Sequence, residues 1–190
     1  MKNIAVFASG SGSNFQALVN AVETNELQAS IKLLVCDKPK AYVVERAANH
    51  SIDVFAFSAK DYPSKAAYEM EILQKLKDYE IDLIILAGYM RLIGDTLLQA
   101  FPGRIVNIHP SLLPNFPGKD AVGQALSAGA KETGVTVHYV DEGMDTGPII
   151  AQESVGIAAG ETNESLQAKI QRIEHGLYPK VVQTLVLTKI

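Results

Sequence analysis

Tryptophan is absent from this 190-residue chain, and cysteine occurs once, at Cys36. A lone cysteine closes no intramolecular disulfide, so covalent staples are excluded as the source of stability. The four histidines show no Cys/His spacing of the zinc-site kind, so no metal is expected. Long apolar runs are missing too: none approaches the roughly 20 residues that a membrane span needs. No basic segment followed by an apolar stretch marks a secretory signal. Nor is there an excess of positive charge. The 17 Lys and Arg and 21 Asp and Glu are interspersed and leave a net charge of −4, which excludes an advertised nucleic-acid surface. The cytoplasm is the expected compartment. The chain does have apolar material, at 47% of residues. That is enough for one packed domain spanning residues 1–190, with no repeat or linker inside it.

Apolar, β-branched runs stand at Ile4–Ala8, Ile31–Val35, Asp53–Phe57, Leu83–Ala87 and Ile105–Ile108. Short continuous runs of this kind suit strands buried on both faces. Between them lie residues of helical period: Phe15, Leu18 and Val22, then Tyr68, Ile72, Leu76 and Tyr79. Strand–helix alternation predicts βαβ units and a mostly parallel sheet with helices on both faces. The last third differs. Val135–Val140 and Pro148–Val155 are separated by a short Gly- and Asp-rich link, too short for a parallel crossover, so they predict an antiparallel pair. Leu166, Ile170, Ile173 and Leu177 mark a further helix, with Pro179 starting or kinking a terminal one. The expected fold is an open, Rossmann-like α/β sheet with an antiparallel portion near the C-terminus. Its ligands should sit at the carboxyl ends of the strands.

Three segments carry candidate chemistry. Ser9-Gly10-Ser11-Gly12-Ser13-Asn14 follows a strand and opens a helix. Glycines permit a tight turn there, free helix-start N–H groups face an anion, and Ser11, Ser13 and Asn14 add donors. A phosphate would fit, although a ligand-free turn capping a helix would read the same way. The dinucleotide fingerprint is broken by Phe15, and Asp37 only mimics its ribose-binding acid. Asn107 and His109 share one face at the end of a strand. An amide beside an imidazole suits a developing oxyanion, and a hydrogen-bonded core histidine is the plainer reading. Asp141-Glu142-Gly143-Met144-Asp145-Thr146-Gly147 could supply a carboxylate that orients a histidine and favours its charged form, or be a solvated turn. His50, His138 and His175 read as helix-end or surface residues. Cys36, at a strand end beside Asp37, has no electropositive setting for a nucleophile.

Taken together, these residues resemble the phosphoribosylglycinamide formyltransferases. The resemblance is carried by Gly10–Asn14, Ala87-Gly88-Tyr89-Met90-Arg91, Asn107-Ile108-His109-Pro110-Ser111-Leu112-Leu113-Pro114, Asp141–Pro148, Glu174-His175 and Tyr178-Pro179. These stretches fall in family order and cover nearly the whole chain. The resemblance implies a formyltransferase fold with a phosphate-binding half over about residues 1–100 and a folate and catalytic half over about 101–190. It implies transfer of the formyl group of 10-formyltetrahydrofolate to the amine of glycinamide ribonucleotide, in a cytoplasmic monomer or homodimer that needs no metal, nucleic acid or membrane. Gly12, Ser13 and Asn14 would hold the ribonucleotide phosphate and Glu174 the ribose hydroxyls. Met90, Arg91, Leu92, Ile93 and Asn107, with Asp141, Glu142, Gly143, Met144 and Asp145, would line the folate site. Arg91 and Lys65 would lie near the glutamate tail, and Asn107, His109 and Asp145 match the catalytic trio. Two positions depart from the pattern. Lys65 stands where some members carry arginine, and Val122 where many carry histidine, so a bidentate tail contact and one substrate contact are in doubt. A formyltransferase acting on methionyl-tRNA needs a basic surface that this acidic chain lacks, and a formyltetrahydrofolate hydrolase is expected to carry an added regulatory domain. A nucleotide-binding oxidoreductase and a non-catalytic binding module are the readings from other classes.

Overall fold

A computed structural model describes residues 1–188. Seven strands form one sheet: β1 (Lys2–Ala8), β2 (Ala29–Cys36), β3 (Asp53–Ala56), β4 (Leu83–Leu86), β5 (Ile105–His109), β6 (Glu132–Tyr139) and β7 (Ile149–Gly156), in the order β3-β2-β1-β4-β5-β6-β7. The first five are mutually parallel. β6 runs antiparallel to both β5 and β7, as the short link between the last two strands predicts. The helices are α1 (Ser13–Glu23), α2 (Tyr42–Asn49), α3 (Lys65–Asp78), α4 (Asp95–Ala100), α5 (Ala121–Ser127) and α6 (Asn163–Leu187).

Alternation along the strands divides the core in two. Ile4, Val6 and Ala8 of β1 point to one face, where Phe15 and Leu18 of α1 and Leu166, Ile170 and Val182 of α6 cover them. Ala5 and Phe7 point to the other, under Tyr68, Ile72 and Leu76 of α3 and Leu97 of α4. All of these side chains are essentially buried. Each of the larger ones contributes about 1.5–3 kcal/mol relative to exposure, which is why period-two strands flanked by amphipathic helices settle on this layering. The strand order reverses direction between β1 and β4. Crossovers depart on opposite faces there and leave a crevice at the carboxyl ends.

One sequence expectation needs correction. Pro179 does not start a separate helix: α6 runs unbroken from Asn163 to Leu187 with the proline inside it. An interior proline costs about 3 kcal/mol. Burial on both sides of it offsets that: Val181, Val182, Leu185 and Val186 pack into the core. Tyr178, fully buried, donates its hydroxyl to the Leu86 carbonyl (2.6 Å), pinning the helix across the sheet. α6 starts at a capping box between Thr162 and Ser165. Among the described residues no helix is long and apolar enough to cross a membrane.

Candidate active site

The loop after β1 is shaped by α2. Gly12 caps α1 with φ +78°, a region open to glycine, and a Cβ there would meet Val43 Cγ2 at 2.5 Å. The Gly10 carbonyl accepts from the Val43 amide (3.1 Å) and the Ser11 carbonyl from Arg46 Nε (2.7 Å). With these carbonyls drawn back, the amides at the start of α1 are left for an anion. They border a cavity of about 220 Å³ lined by Ser9–Asn14, Lys38, Ala87, Gly88 and Met90. Glu174 of α6 is buried beside this loop, and Asn14 Nδ2 donates to its carboxylate (3.0 Å). Burial raises the Glu174 carboxyl above its ordinary range, a shift that the Asn14 bond only partly opposes. Among the described residues Asn14 Oδ1 is buried with no partner, an acceptor that a ligand hydroxyl or amine could satisfy.

Next to it lies a cleft of about 550 Å³, floored by the ends of β4 and β5 and walled by Gly88–Ile93, Gly118–Val122 and the loop around Asp141–Asp145. Met90 is 71% exposed, Leu92 46% and Met144 50%. Three exposed large apolar side chains in one cleft suit a flat, largely apolar ligand. Ile93 is buried behind them, and Val122 is buried in the opposite wall. Lys65 Nζ donates to the Leu92 carbonyl (2.9 Å), and Arg91 Nε to the buried Asp37 carboxylate (2.8 Å). Both cations that the sequence reading places near a glutamate tail therefore also hold the Gly88–Ile93 segment.

The deepest part of the cleft collects the trio. Asn107 and His109 lie two residues apart on β5. Asp145 turns its carboxylate inward from a left-handed backbone (φ +57°). Its Oδ2 is 3.4 Å from His109 Nδ1 and accepts from the Gly118 amide (2.8 Å). Burial acts to raise the Asp145 carboxyl. The nearby His138 imidazole, the Gly118 amide bond and the His109 imidazole outweigh it, so the group sits below the usual carboxylate range. His109 Nε2 lies 2.8 Å from the Phe116 carbonyl, which can only accept, so that nitrogen carries hydrogen. Nδ1 then faces a carboxylate, and only the imidazolium presents a donor on both sides. Asp141 shapes the loop by accepting from Thr146 Oγ1 (2.6 Å) and the Gly143 amide (3.0 Å). Glu142 is exposed on the same loop.

Residues 2–182 match the family model described as formyl transferase. The chain belongs to the formyl transferase family. It is 58% identical over 185 residues to phosphoribosylglycinamide formyltransferase of Bacillus subtilis (strain 168), covering 97% of this chain and 95% of that one. The crystal structure of glycinamide ribonucleotide transformylase 1 from Geobacillus kaustophilus matches with a TM-score of 0.95 at 64% identity, over 97% of this chain and 98% of that. The trifunctional purine biosynthetic protein adenosine-3 of Drosophila pseudoobscura pseudoobscura is 43% identical over 186 residues, which is 97% of this chain and 14% of that protein. This formyl transferase is an enzyme and groups with the phosphoribosylglycinamide formyltransferases, as the resemblance in its motifs implies.

His138 departs from the sequence expectation. It is neither surface nor helix-end but 2% exposed in β6, directly opposite Asn107. Its Nε2 lies 3.7 Å from Asp145 Oδ1 and 3.5 Å from Asn107 Nδ2, so two histidines flank one carboxylate. Only the pairing register brings it there, and no motif in the strand announces it. His175 is corrected too: it is part-buried in the middle of α6. His50 does sit at a helix end, paired with Glu23 at 2.8 Å. Lys38, beside the glycine loop, was also missed, since nothing in its spacing marks it.

Proposed function

We propose that this enzyme transfers the formyl group of 10-formyltetrahydrofolate to the amine of glycinamide ribonucleotide, as a step of purine biosynthesis. The observation that carries the reading is the position of the trio. Asn107, His109 and Asp145 sit in one cleft between a phosphate-binding loop and an apolar wall. The two cavities share Asn14, Gly88 and Met90, so a phosphorylated acceptor and a folate donor can meet at the ends of β4 and β5. The family membership and the names of the relatives point the same way.

In this reading the amides of Ser13 and Asn14, opened by Gly12, hold the phosphate, and Glu174 accepts from the ribose hydroxyls. Met90, Leu92, Ile93 and Met144 clasp the pterin and its aryl link, with Asp141 and Gly143 completing the wall and Arg91 toward the tail; Glu142 and Lys65 lie outside the cleft lining and could meet only the tail end of the donor. The neutral amine attacks the formyl carbon, and a carbon–nitrogen bond forms as the carbonyl becomes an oxyanion. Asn107 Nδ2 and the His109 imidazolium stabilise it. To do so, His109 Nε2 exchanges its hydrogen bond with Phe116 for one to the formyl oxygen. The bond to N10 then breaks, and the proton released by the amine reaches N10 through His109 or water. Asp145, anchored by Gly118, faces Nδ1 and orients the ring. A covalent formyl-enzyme is not part of this route: Cys36 is fully buried, its thiol donates to the Lys38 carbonyl, and burial pushes the thiol up. The two halves of the chain form a single domain in this reading, acting in the cytoplasm as a monomer or homodimer on small molecules, without nucleic acid, membrane or metal.

Incubating the purified protein with 10-formyltetrahydrofolate, with and without the ribonucleotide, tests this. Tetrahydrofolate should form in step with the formylated ribonucleotide and stop when the acceptor is omitted. Equal release of free formate with and without acceptor would make the protein a hydrolase.

A further inference from the structure

Asp37 ends β2, outside the reacting groups, yet it is one of the most thoroughly buried carboxylates in the chain, at 4% exposure. Ser9 Oγ donates to its Oδ1 at 2.5 Å, and Arg91 Nε donates to its Oδ2 at 2.8 Å. Ser9 Oγ in turn accepts from the Met90 amide (2.9 Å), and the Ser9 amide donates to the Gly88 carbonyl (3.0 Å). One carboxylate thus ties three chain segments together: the end of β1 where the glycine loop begins, its own strand end, and the Gly88–Ile93 wall. Such an ion pair, with Asp37 buried and Arg91 partly exposed, is weak evidence for stability, because desolvation of the carboxylate offsets much of a solvent-screened attraction. Its geometric effect is definite. A guanidinium gripped through Nε keeps its two terminal nitrogens as a fork for another carboxylate. The rest of Arg91 has little freedom, since it also lies beside the Tyr68 ring, 5.9 Å from the centroid.

We infer that Asp37 is the positioning residue of the donor site: it holds Arg91 with its terminal nitrogens toward the cleft and, through Ser9, fixes the Met90 amide and the wall that follows. The inference rests on the donor being a folate with a glutamate tail. Without Asp37, the Arg91 side chain samples many rotamers and the wall loses one anchor. Donor binding then weakens while the phosphate loop, which α2 holds through Val43 and Arg46, keeps its shape.

The test uses tetrahydrofolate and tetrahydropteroate, which differ by the glutamate, as unreactive calorimetric probes of the whole protein. For the wild type, tetrahydrofolate should bind more tightly than tetrahydropteroate. In Asp37→Asn, tetrahydrofolate affinity should fall at least about tenfold, the scale of one charge-assisted contact, and the preference over tetrahydropteroate should largely vanish. Combined with Arg91→Ala, the substitution should cost little more than Arg91→Ala alone, because both act on one contact. The ribonucleotide KM should stay within about threefold of wild type. If the wild type binds neither probe, the folate reading falls and this inference with it. If the wild type binds tetrahydrofolate and Asp37→Asn binds it equally well, or if both substrates weaken in parallel, Asp37 is a fold residue and the inference is overturned. Should Asp37→Asn not fold, the wild type itself decides. A slowly exchanging Arg91 Nε–H resonance that persists on tetrahydrofolate binding supports the grip, and a rapidly exchanging one contradicts it.

Discussion

Replacing Asp145 by asparagine changes one oxygen for an NH₂ group and removes a charge, and the structure indicates how the variant should sit. The Gly118 amide, 2.8 Å away, requires an acceptor, so the asparagine oxygen takes the Oδ2 place and its NH₂ group takes that of Oδ1. His138 donates its Nδ1–H to the Tyr139 carbonyl (2.8 Å), so in its neutral form Nε2 presents a lone pair, not a competing donor, 3.7 Å from that group. The variant should therefore fold. What it loses is the charge opposite His109 Nδ1 at 3.4 Å. The imidazolium loses its counter-ion in a nearly water-free position, and turnover should fall by about 100-fold or more, the range for losing positioned acid catalysis. Stability follows the carboxyl shift. Because the folded Asp145 sits below its unfolded value of about 3.9, its contribution is present above that pH and is lost as pH falls through the folded value. The variant should thus have a lower Tm at neutral pH, and the gap should close in acid. His109→Ala should be comparably slow, and the double variant little slower, because the pair acts as a unit. Turnover against pH for all four proteins is the assay. An Asp145→Asn enzyme within about tenfold of wild type across about pH 6–9 would falsify the role of the carboxylate.

Glu174 carries the opposite shift. Its folded value is raised by burial, so its ionised form opposes folding as pH rises above about 4.3. Glu174→Gln should raise Tm at neutral pH, by about 2–4 °C for each kcal/mol recovered in a chain of this size, with no gain in acid. The ribonucleotide KM should rise at the same time, and an unchanged KM would remove Glu174 from the ribose site. The phosphate-free riboside should bind at least about 100-fold more weakly than the ribonucleotide, from the loss of two charge-assisted hydrogen bonds. Gly12→Val should impose much the same loss on the ribonucleotide by collision with Val43, and equal affinities for riboside and ribonucleotide would send the phosphate elsewhere. Cys36→Ser should keep turnover near wild type, since a serine hydroxyl can donate to the same Lys38 carbonyl; a formylated Cys36 trapped during turnover would refute direct transfer.

The sheet was legible because β1, β2, β4 and β5 are largely buried and so appear as apolar runs, while β3, exposed at the sheet edge, was marked by its β-branched and aromatic residues. α2, α4 and α5 were not, because helices of eight, six and seven residues show too few turns for a periodicity to emerge. Asn107 and His109 could be paired from sequence since residues two apart on a strand share a face. Asp145 came from the family resemblance, since its loop alone offers several carboxylates and reads equally as a solvated turn. His138 could not be found in this way: its place opposite Asn107 depends on the β5–β6 register, and an isolated histidine in an alternating strand carries no such information. Asp37 shows the same limit. It looked like the acid of a dinucleotide site, while its partners, Ser9 and Arg91, lie 28 and 54 residues away along the chain.

The central claim is that one cleft brings the amine of a phosphorylated acceptor to the formyl group of a folate beside Asn107 and His109. A crystal structure with glycinamide ribonucleotide and an unreactive formyl-folate analogue bound together tests it most directly. The phosphate should lie on the amides of Ser13 and Asn14, and the amine about 3–3.5 Å from the formyl carbon. The formyl oxygen should have displaced the Phe116 carbonyl from His109 Nε2. A phosphate bound away from Gly12, or a formyl oxygen out of reach of both Asn107 and His109, would contradict the account.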